Sequence, residues 1–195
     1  MPQKILTHMT MSLDGYIATP TDGVDHIFDW YGAGDVPMST ASPDINFKLD
    51  QASAEMMRDL IGNAGALIAG RRLFDITKGW GDNHPIGTPV VVVTHEPLAD
   101  AAKKWPRTTF VNSVEEAVAR ARRIAGNKNV IISSANILQQ AIALGLVDEI
   151  CISVAPVLLG KGIPYFSTLP QPLMLEDPVV TQGRRALHLR YPVRH

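Results

Sequence analysis

The chain has 195 residues, a net charge of −1, 46% hydrophobic and 19% charged residues, and one cysteine. That is the composition of an ordinary soluble protein able to bury a core. It gives no general nucleic-acid or membrane surface, and a lone cysteine excludes an internal disulfide. No apolar run approaches membrane-spanning length. The opening MPQKILTHMTMSLDG has no sustained apolar segment and no cleavage site, so no signal peptide is expected and the cytoplasm is the expected compartment.

Residues 4–11 read as a strand, with Ile5, Leu6, Met9 and Met11 apolar between Thr and His. SLDG at residues 12–15 is a turn whose Asp14-Gly15 pair supplies a positive φ, and residues 16–18 resume extended structure. Residues 19–46 are rich in Pro, Gly and Asp, interrupted by Ile27, Phe28, Trp30 and Tyr31. A loop that long inside a compact domain is functional or disordered. The apolar cluster argues that its middle packs down, so it is expected to be a lid or rim insertion in one domain spanning 1–195.

Residues 47–63 carry Leu49, Ala52, Met56, Leu60 and Ile61 at helical spacing, closed by Gly62 and Gly65. A short buried strand at 66–69 leads into Gly70-Arg71-Arg72 and a brief helix. After a turn-rich loop at 79–87, PVVVVT at 89–94 is the clearest buried strand. A short helix is predicted at 98–105 and an extended segment at 108–111. Ser113 with Glu116 three residues on forms a capping box for a helix that stops at Gly126.

Residues 129–166 organise the chain. Val130 to Ile132 suit a buried strand; Ile137, Leu138, Ala141, Ile142 and Leu144 then fall on one helix face. Ser134 or Asn136 is expected to cap that helix, and Gly145 to close it as C′. Residues 150–154 form the next strand, parallel to the first if both share a sheet. Beyond Phe166, prolines punctuate extended segments at 173–175 and 179–182. Gly183-Arg184 makes a turn, and residues 186–193 set Leu187, Leu189 and Tyr191 against His188, Arg190 and Pro192. The expected fold is α/β and three-layered, with a mostly parallel central sheet and an antiparallel C-terminal hairpin.

Three strand ends carry candidate chemistry. Gly70-Arg71-Arg72 offers close backbone approach, helix-start N–H donors and a phosphate-chelating arginine, or else a tight turn with solvated arginines. Thr94-His95 offers a hydroxyl and an imidazole, or else a polar strand end. Ser133 to Asn136 places a helix N-terminus at a strand's carboxyl end, an anion site. All three point to one edge of a parallel sheet, where open α/β proteins bind ligands. A GxGxxG fingerprint, a Walker loop and a Gly-x-Ser-x-Gly elbow are absent, and the six histidines share no metal-ligand spacing, so no metal is expected. Leu159-Gly160-Lys161-Gly162 reads as a substrate-phosphate contact or a flexible turn; Asp14 as an acid or a turn former; Glu55 as an acid or a solvated helix residue. Cys151 reads as a core residue.

SLDGYIA (12–18), AGRRLFDITKGW (69–80), VVVVT (90–94), SVEEAVA (113–119) and GLVDEICISVAPVLLGKGIPYF (145–166) together resemble the dihydrofolate reductase-like fold, in the branch of the riboflavin-biosynthesis reductase domain and its stand-alone bacterial relatives. The resemblance implies an NADPH-dependent reductase acting on a pterin- or pyrimidine-like heterocycle, such as 5-amino-6-(5-phosphoribosylamino)uracil, or on dihydrofolate. It also implies that Gly70, Arg71 and Arg72 grip the cofactor phosphates, and that Thr94 and His95 lie beside the 2′-phosphate. Ser133, Ser134, Ala135, Asn136 and Ile137 would then face the pyrophosphate and nicotinamide. Asp14, Gly15 and Ile17 match the mobile loop over the nicotinamide. By this reading water, Asp14 or Glu55 supplies the proton, Leu159 and Gly160 touch substrate, and residues 19–46 exclude solvent. Two departures stand out: Ser133-Ser134 replaces a glycine pair, and His95 stands where arginine or serine is common. A homodimer through the C-terminal strands is expected, as is a non-catalytic binding role if Ser133-Ser134 blocks the cofactor.

Overall fold

A computed structural model describes residues 2–96, 99–167, 169 and 171–194. Strands β1 (Ile5–Ser12), β2 (Tyr16–Ala18), β3 (Val36–Ser39) and β4 (Asn46–Leu49) precede helix α1 (Gln51–Gly62). There follow β5 (Ala64–Gly70), α2 (Arg71–Ile76), β6 (Val90–Val93), α3 (Ala101–Lys104), β7 (Thr108–Val111) and α4 (Val114–Ala125). The remaining elements are β8 (Asn129–Ile132), α5 (Ala135–Ala143), β9 (Glu149–Ala155), β10 (Ile163–Pro164), β11 (Val179–Gln182) and β12 (Leu187–Pro192).

Eight strands form one sheet in the order β11-β12-β9-β1-β8-β5-β6-β7. The six from β9 to β7 run parallel, and β12 and β11 add an antiparallel edge. Side chains alternate across the sheet. Ile5, Ile68, Val91, Val130 and Ile132 pack under α4 and α5, while Leu6, Leu67, Ala69, Val92 and Ile131 pack on the other face with Phe74 of α2. Helices on both faces explain why β5, β6 and β8 are apolar runs rather than alternating ones. The strand-helix-strand unit at 129–155 is present, but β1 lies between β8 and β9.

Several boundaries differ from the sequence reading. The helix expected from residue 47 starts at Gln51, because Asp50 caps it, accepting from the amides of Ala52 (3.1 Å) and Ser53 (3.2 Å). Residues 46–49 pair instead with β3. The helix expected at 98–105 is the single turn Ala101–Lys104, and Leu98 lies outside the described residues. The C-terminal turn expected at Gly183-Arg184 has its left-handed residue at Arg185 (φ 64°). In β12 both faces are covered: His188 is buried on one side, Leu189 and Tyr191 pack against the core on the other, and Leu187 is exposed.

The segment 19–46 packs down around Ile27 and Trp30, both fully buried. Tyr31 stacks between Phe28 and Phe47 at 4.9 and 4.2 Å. The Trp30 indole donates to Thr10 Oγ1 of β1 (3.2 Å) and meets the His188 ring edge-on at 4.9 Å. No helix among the described residues is long and apolar enough to cross a membrane.

Candidate active site

Parallel strands deliver their carboxyl ends to one edge. Gly70 ends β5, Thr94 follows β6, and Ser133 follows β8, and these three strands are neighbours. The structure brings the three predicted segments together by direct contact. Ser134 Oγ accepts from the Gly70 amide (2.9 Å), and Arg71 Nη1 donates to Thr94 Oγ1 (3.4 Å) and to the Glu96 carbonyl (3.3 Å). Arg71 Nε also donates to both Asp75 carboxylate oxygens (2.9 Å each), which holds the guanidinium at the edge. Arg72 is more exposed and pairs with Asp22 of the 19–46 segment at 2.9 Å. His95 is exposed.

The expected cap of α5 is different. Ser134 is the N-cap residue by position, yet its side chain caps nothing in the helix. The hydroxyl is committed to Gly70, and Asn136 accepts from Gln140 (2.6 Å). The first-turn amides of α5 therefore have no side-chain acceptor, the arrangement that favours an anion. Ile137 is buried and would contact any Cβ placed on Gly70 at 3.5 Å.

Beside this edge β1 outlasts its neighbour. β1 pairs with β8 at Ile5, Leu6 and Thr7, where β8 ends at Ile132, whereas its pairing with β9 continues to Ser12. Open α/β sheets bind ligands outside such carboxyl ends. Met9, Met11 and Ile17 pack against the core cluster that includes α4 and α5.

Two predicted roles are redirected by geometry. The exposed Asp14 carboxylate accepts from Ser12 Oγ (2.5 Å) and from the amides of Leu159 (3.1 Å) and Gly160 (2.7 Å). The Ser12 hydroxyl holds its pKa below the usual range; burial, the next effect, opposes it, and the Gly160 and Leu159 amides add to the lowering. Asp14 is thus a clamp between the β1–β2 turn, where Gly15 has φ 87°, and the 158–160 loop. The Leu159 and Gly160 amides face Asp14, so they are not free to bind a phosphate. The loop at 81–85 is tied to the 19–46 segment, since Asn83 donates to the Ala41 carbonyl (2.6 Å). Among the described residues no group of three or more His, Cys, Asp or Glu is placed to hold a metal ion.

Glu55 is exposed, accepts from Gln51 (2.6 Å), and lines a cavity of about 260 Å³ between α1 and strands β1, β9 and β12. The sequence reading missed what forms the wall of that cavity. His8, Ser153 and His188 stand on three neighbouring strands and face α1 with their polar atoms bonded to one another. Burial lowers the pKa of both imidazoles to about 4, with His188 adding to the effect on His8 while Asp50 opposes it at His188. The sequence carried no signal for it: His188 lies opposite Ser153 only through the pairing of β12 with β9.

A family model described as the RibD C-terminal domain matches residues 3–189. The uncharacterized Bacillus subtilis protein YwjB is 26% identical over 193 residues, covering 98% of both chains. A putative riboflavin biosynthesis protein from Shewanella sp. PV-4 superposes with a TM-score of 0.74 at 20% identity, covering 99% of this chain and 100% of that one. The Saccharomyces riboflavin biosynthesis reductase Rib7 gives 0.61 at 13% identity, covering 99% and 90%. An Enterococcus faecalis dihydrofolate reductase, described as complexed with NADP(H), gives 0.58 at 14%, covering 98% and 97%. The mixed sheet with its antiparallel edge is the dihydrofolate reductase-like fold, and the chain belongs to the family of the RibD C-terminal domain, a reductase-like family.

Proposed function

We propose that the protein is an NADPH-dependent oxidoreductase that transfers a hydride to a small pterin- or pyrimidine-like heterocycle. One observation supports this most. The uncapped start of α5, the guanidinium of Arg71 and the end of β8 beside the longer β1 lie at a single sheet edge. The donor set suits a dinucleotide: free helix-start amides and an oriented arginine suit a diphosphate. In this reading Arg71 and Arg72 with the amides of Ala135 to Ile137 hold the phosphates, and Thr94 and His95 lie toward the adenosine end. NADPH when bound supplies the hydride. Asp14 fixes the turn and the 158–160 loop, its carboxylate staying ionised. The proton then comes from water or Glu55.

A second reading, a non-catalytic binding protein on the same scaffold, is favoured by one contact. Ser134 Oγ occupies the Gly70 amide that a cofactor phosphate would use. Titrating the protein into NADPH while following cofactor fluorescence separates the two. The reductase reading expects saturation in the micromolar range; silence at high micromolar protein supports the second.

A further inference from the structure

Five buried or half-buried polar side chains form an unbroken chain of hydrogen bonds across the α1 face of the sheet. Ser53 Oγ lies 2.6 Å from Asp50 Oδ2 and 2.9 Å from His188 Nε2. His188 Nδ1 lies 2.8 Å from Ser153 Oγ, which lies 3.3 Å from His8 Nε2. The direction of every bond follows from one end. Burial alone would raise the Asp50 pKa, but hydrogen bonds from Ser53, the Arg184 amide and the Ser53 and Ala52 amides outweigh it and keep Asp50 an anion. An anion only accepts, so Ser53 donates its single proton to Asp50. Ser53 Oγ must then accept from His188, which fixes that imidazole as the Nε2–H tautomer. His188 Nδ1 becomes the acceptor for Ser153 O–H, and Ser153 Oγ in turn accepts from His8 Nε2–H. With both imidazoles neutral at pH 7, His8 is left with Nδ1 as a bare lone pair. Among the described residues no side chain or amide donates to it, and His8 lines the 260 Å³ cavity.

The charges around that cavity have a definite sign. Glu55 and Asp59 contribute carboxylates, and Arg190 is already held by Glu149 (2.5 Å) and Asp59 (3.4 Å). Beyond the wall, Lys4 pairs with Glu149, so the site carries an excess of negative charge. The Cys151 thiol is pushed up to about 12, chiefly by burial, and stays neutral. A ligand here must bring a hydrogen-bond donor to His8 and must not bring an anion. Ala52, Met56, Leu60 and Val179 give it apolar walls.

We propose that the cavity between α1 and strands β1, β9 and β12 binds a small planar nitrogen base as its cation, such as an amidinium or protonated amino-heterocycle, with His8 Nδ1 accepting its N–H. Of the residues given roles in the proposed reductase, Glu55 lines this cavity and Arg71, Arg72, Thr94, His95 and the α5 start do not; the proposal stands whether or not NADPH binds. Gly183 makes the relay possible: a Cβ there would come within 2.2 Å of Ser53 Oγ and 3.0 Å of both Asp50 Oδ2 and His188 Nε2. Its φ is not left-handed, so alanine acts there through these three close contacts, the tightest with Ser53.

The test uses ¹⁵N-imidazole NMR on the whole protein, without nucleotide, and three probes of one shape: benzamidine, benzamide and benzoate. Free protein should show both His8 and His188 as Nε2–H tautomers. Benzamidine should shift the His8 Nδ1 resonance saturably, benzamide more weakly, and benzoate not at all. Gly183→Ala and Ser53→Ala should each release the tautomers and weaken benzamidine about tenfold or more, the loss of one charge-assisted hydrogen bond. An Nδ1–H tautomer at His8 in the free protein overturns the proposal. So does benzoate binding as tightly as benzamidine, or benzamidine shifts that leave His8 unmoved. Because the tautomers are read on the unaltered protein, a variant that fails to fold leaves the proposal open to refutation.

Discussion

Glu149 is 4% exposed and accepts from Lys4 and from Arg190, each itself half-buried. Removing it strands Lys4 and leaves Arg190 its longer contact to Asp59 (3.4 Å), while their partial exposure lets water recover part of the loss. Glu149→Ala is expected to lower stability by about 2–3 kcal/mol in a urea titration, with an unchanged slope. At the nucleotide edge, Arg71→Ala should weaken NADPH roughly 10- to 100-fold, the value of one or two charge-assisted contacts to phosphate. Ser134→Gly frees the Gly70 amide and should tighten NADPH binding. If it weakens binding instead, the hydroxyl is itself part of the phosphate cradle. Residue chemistry at this edge was readable because it follows strand ends, which carry local signals: a Gly-Arg after an apolar run, a Thr after four valines, a serine pair before a helix. The relay was not readable. His8, Ser53, Ser153 and His188 come from four separated segments, and only tertiary pairing puts them within 3.3 Å of one another.

Helix α1 concentrates several effects in one element. Its cap, Asp50, also receives the Arg184 amide (2.8 Å), so it fastens the C-terminal turn to the helix start. Asp50→Ala should cost at least the ~1–2 kcal/mol of a lost N-cap, because Ser53 and Arg184 lose their acceptor as well. Opposite it, Trp30→Ala should cost about 3–5 kcal/mol by emptying a fully buried site. The acid side of the stability curve follows from the imidazoles. His8, His84 and His188 have folded pKa values near 4 against an ordinary 6.5, mainly through burial. Between those values the unfolded chain binds protons that the folded chain refuses, so stability is full above pH 6.5 and falls as pH drops toward 4. Below that, Asp50, whose folded pKa lies under 3.8, loses its own contribution. Thermal melts from pH 7.5 to 3.5 check this; a flat profile between 6.5 and 4 would contradict the burial of these rings. The segment 19–46 shows where sequence reading ran short within an element. Its aromatic cluster foretold packing, but β3 and β4 were hidden, because VPMS and NFKL are too short to show alternation.

At the scale of the molecule, the sheet was legible from its apolar runs and short connections. The order was not, because the sequence does not say that β1 slides between β8 and β9. We propose β11 as the surface of the expected homodimer: it is an edge strand of the sheet among the described residues, and Val179 and Val180, on its two faces, are 65% and 55% exposed. Sedimentation should give a dimer that Val180→Lys dissociates; a monomer at all concentrations removes the idea.

The run of β1 past the end of β8 also bears on motion. From His8 to Ser12 the paired strand is β9 alone; the Thr7–Ile132 pair still engages the His8 amide, so the amides of Thr10 and Ser12 are the ones that lack a ladder acceptor on β8. Deuterium should replace those protons quickly while the amides bonded to β9 stay protected, leaving an every-other-residue pattern in the centre of the sheet. A molecule lodged beside those amides would slow the fast set alone, so this pattern would report occupancy even for a substrate whose identity is unknown.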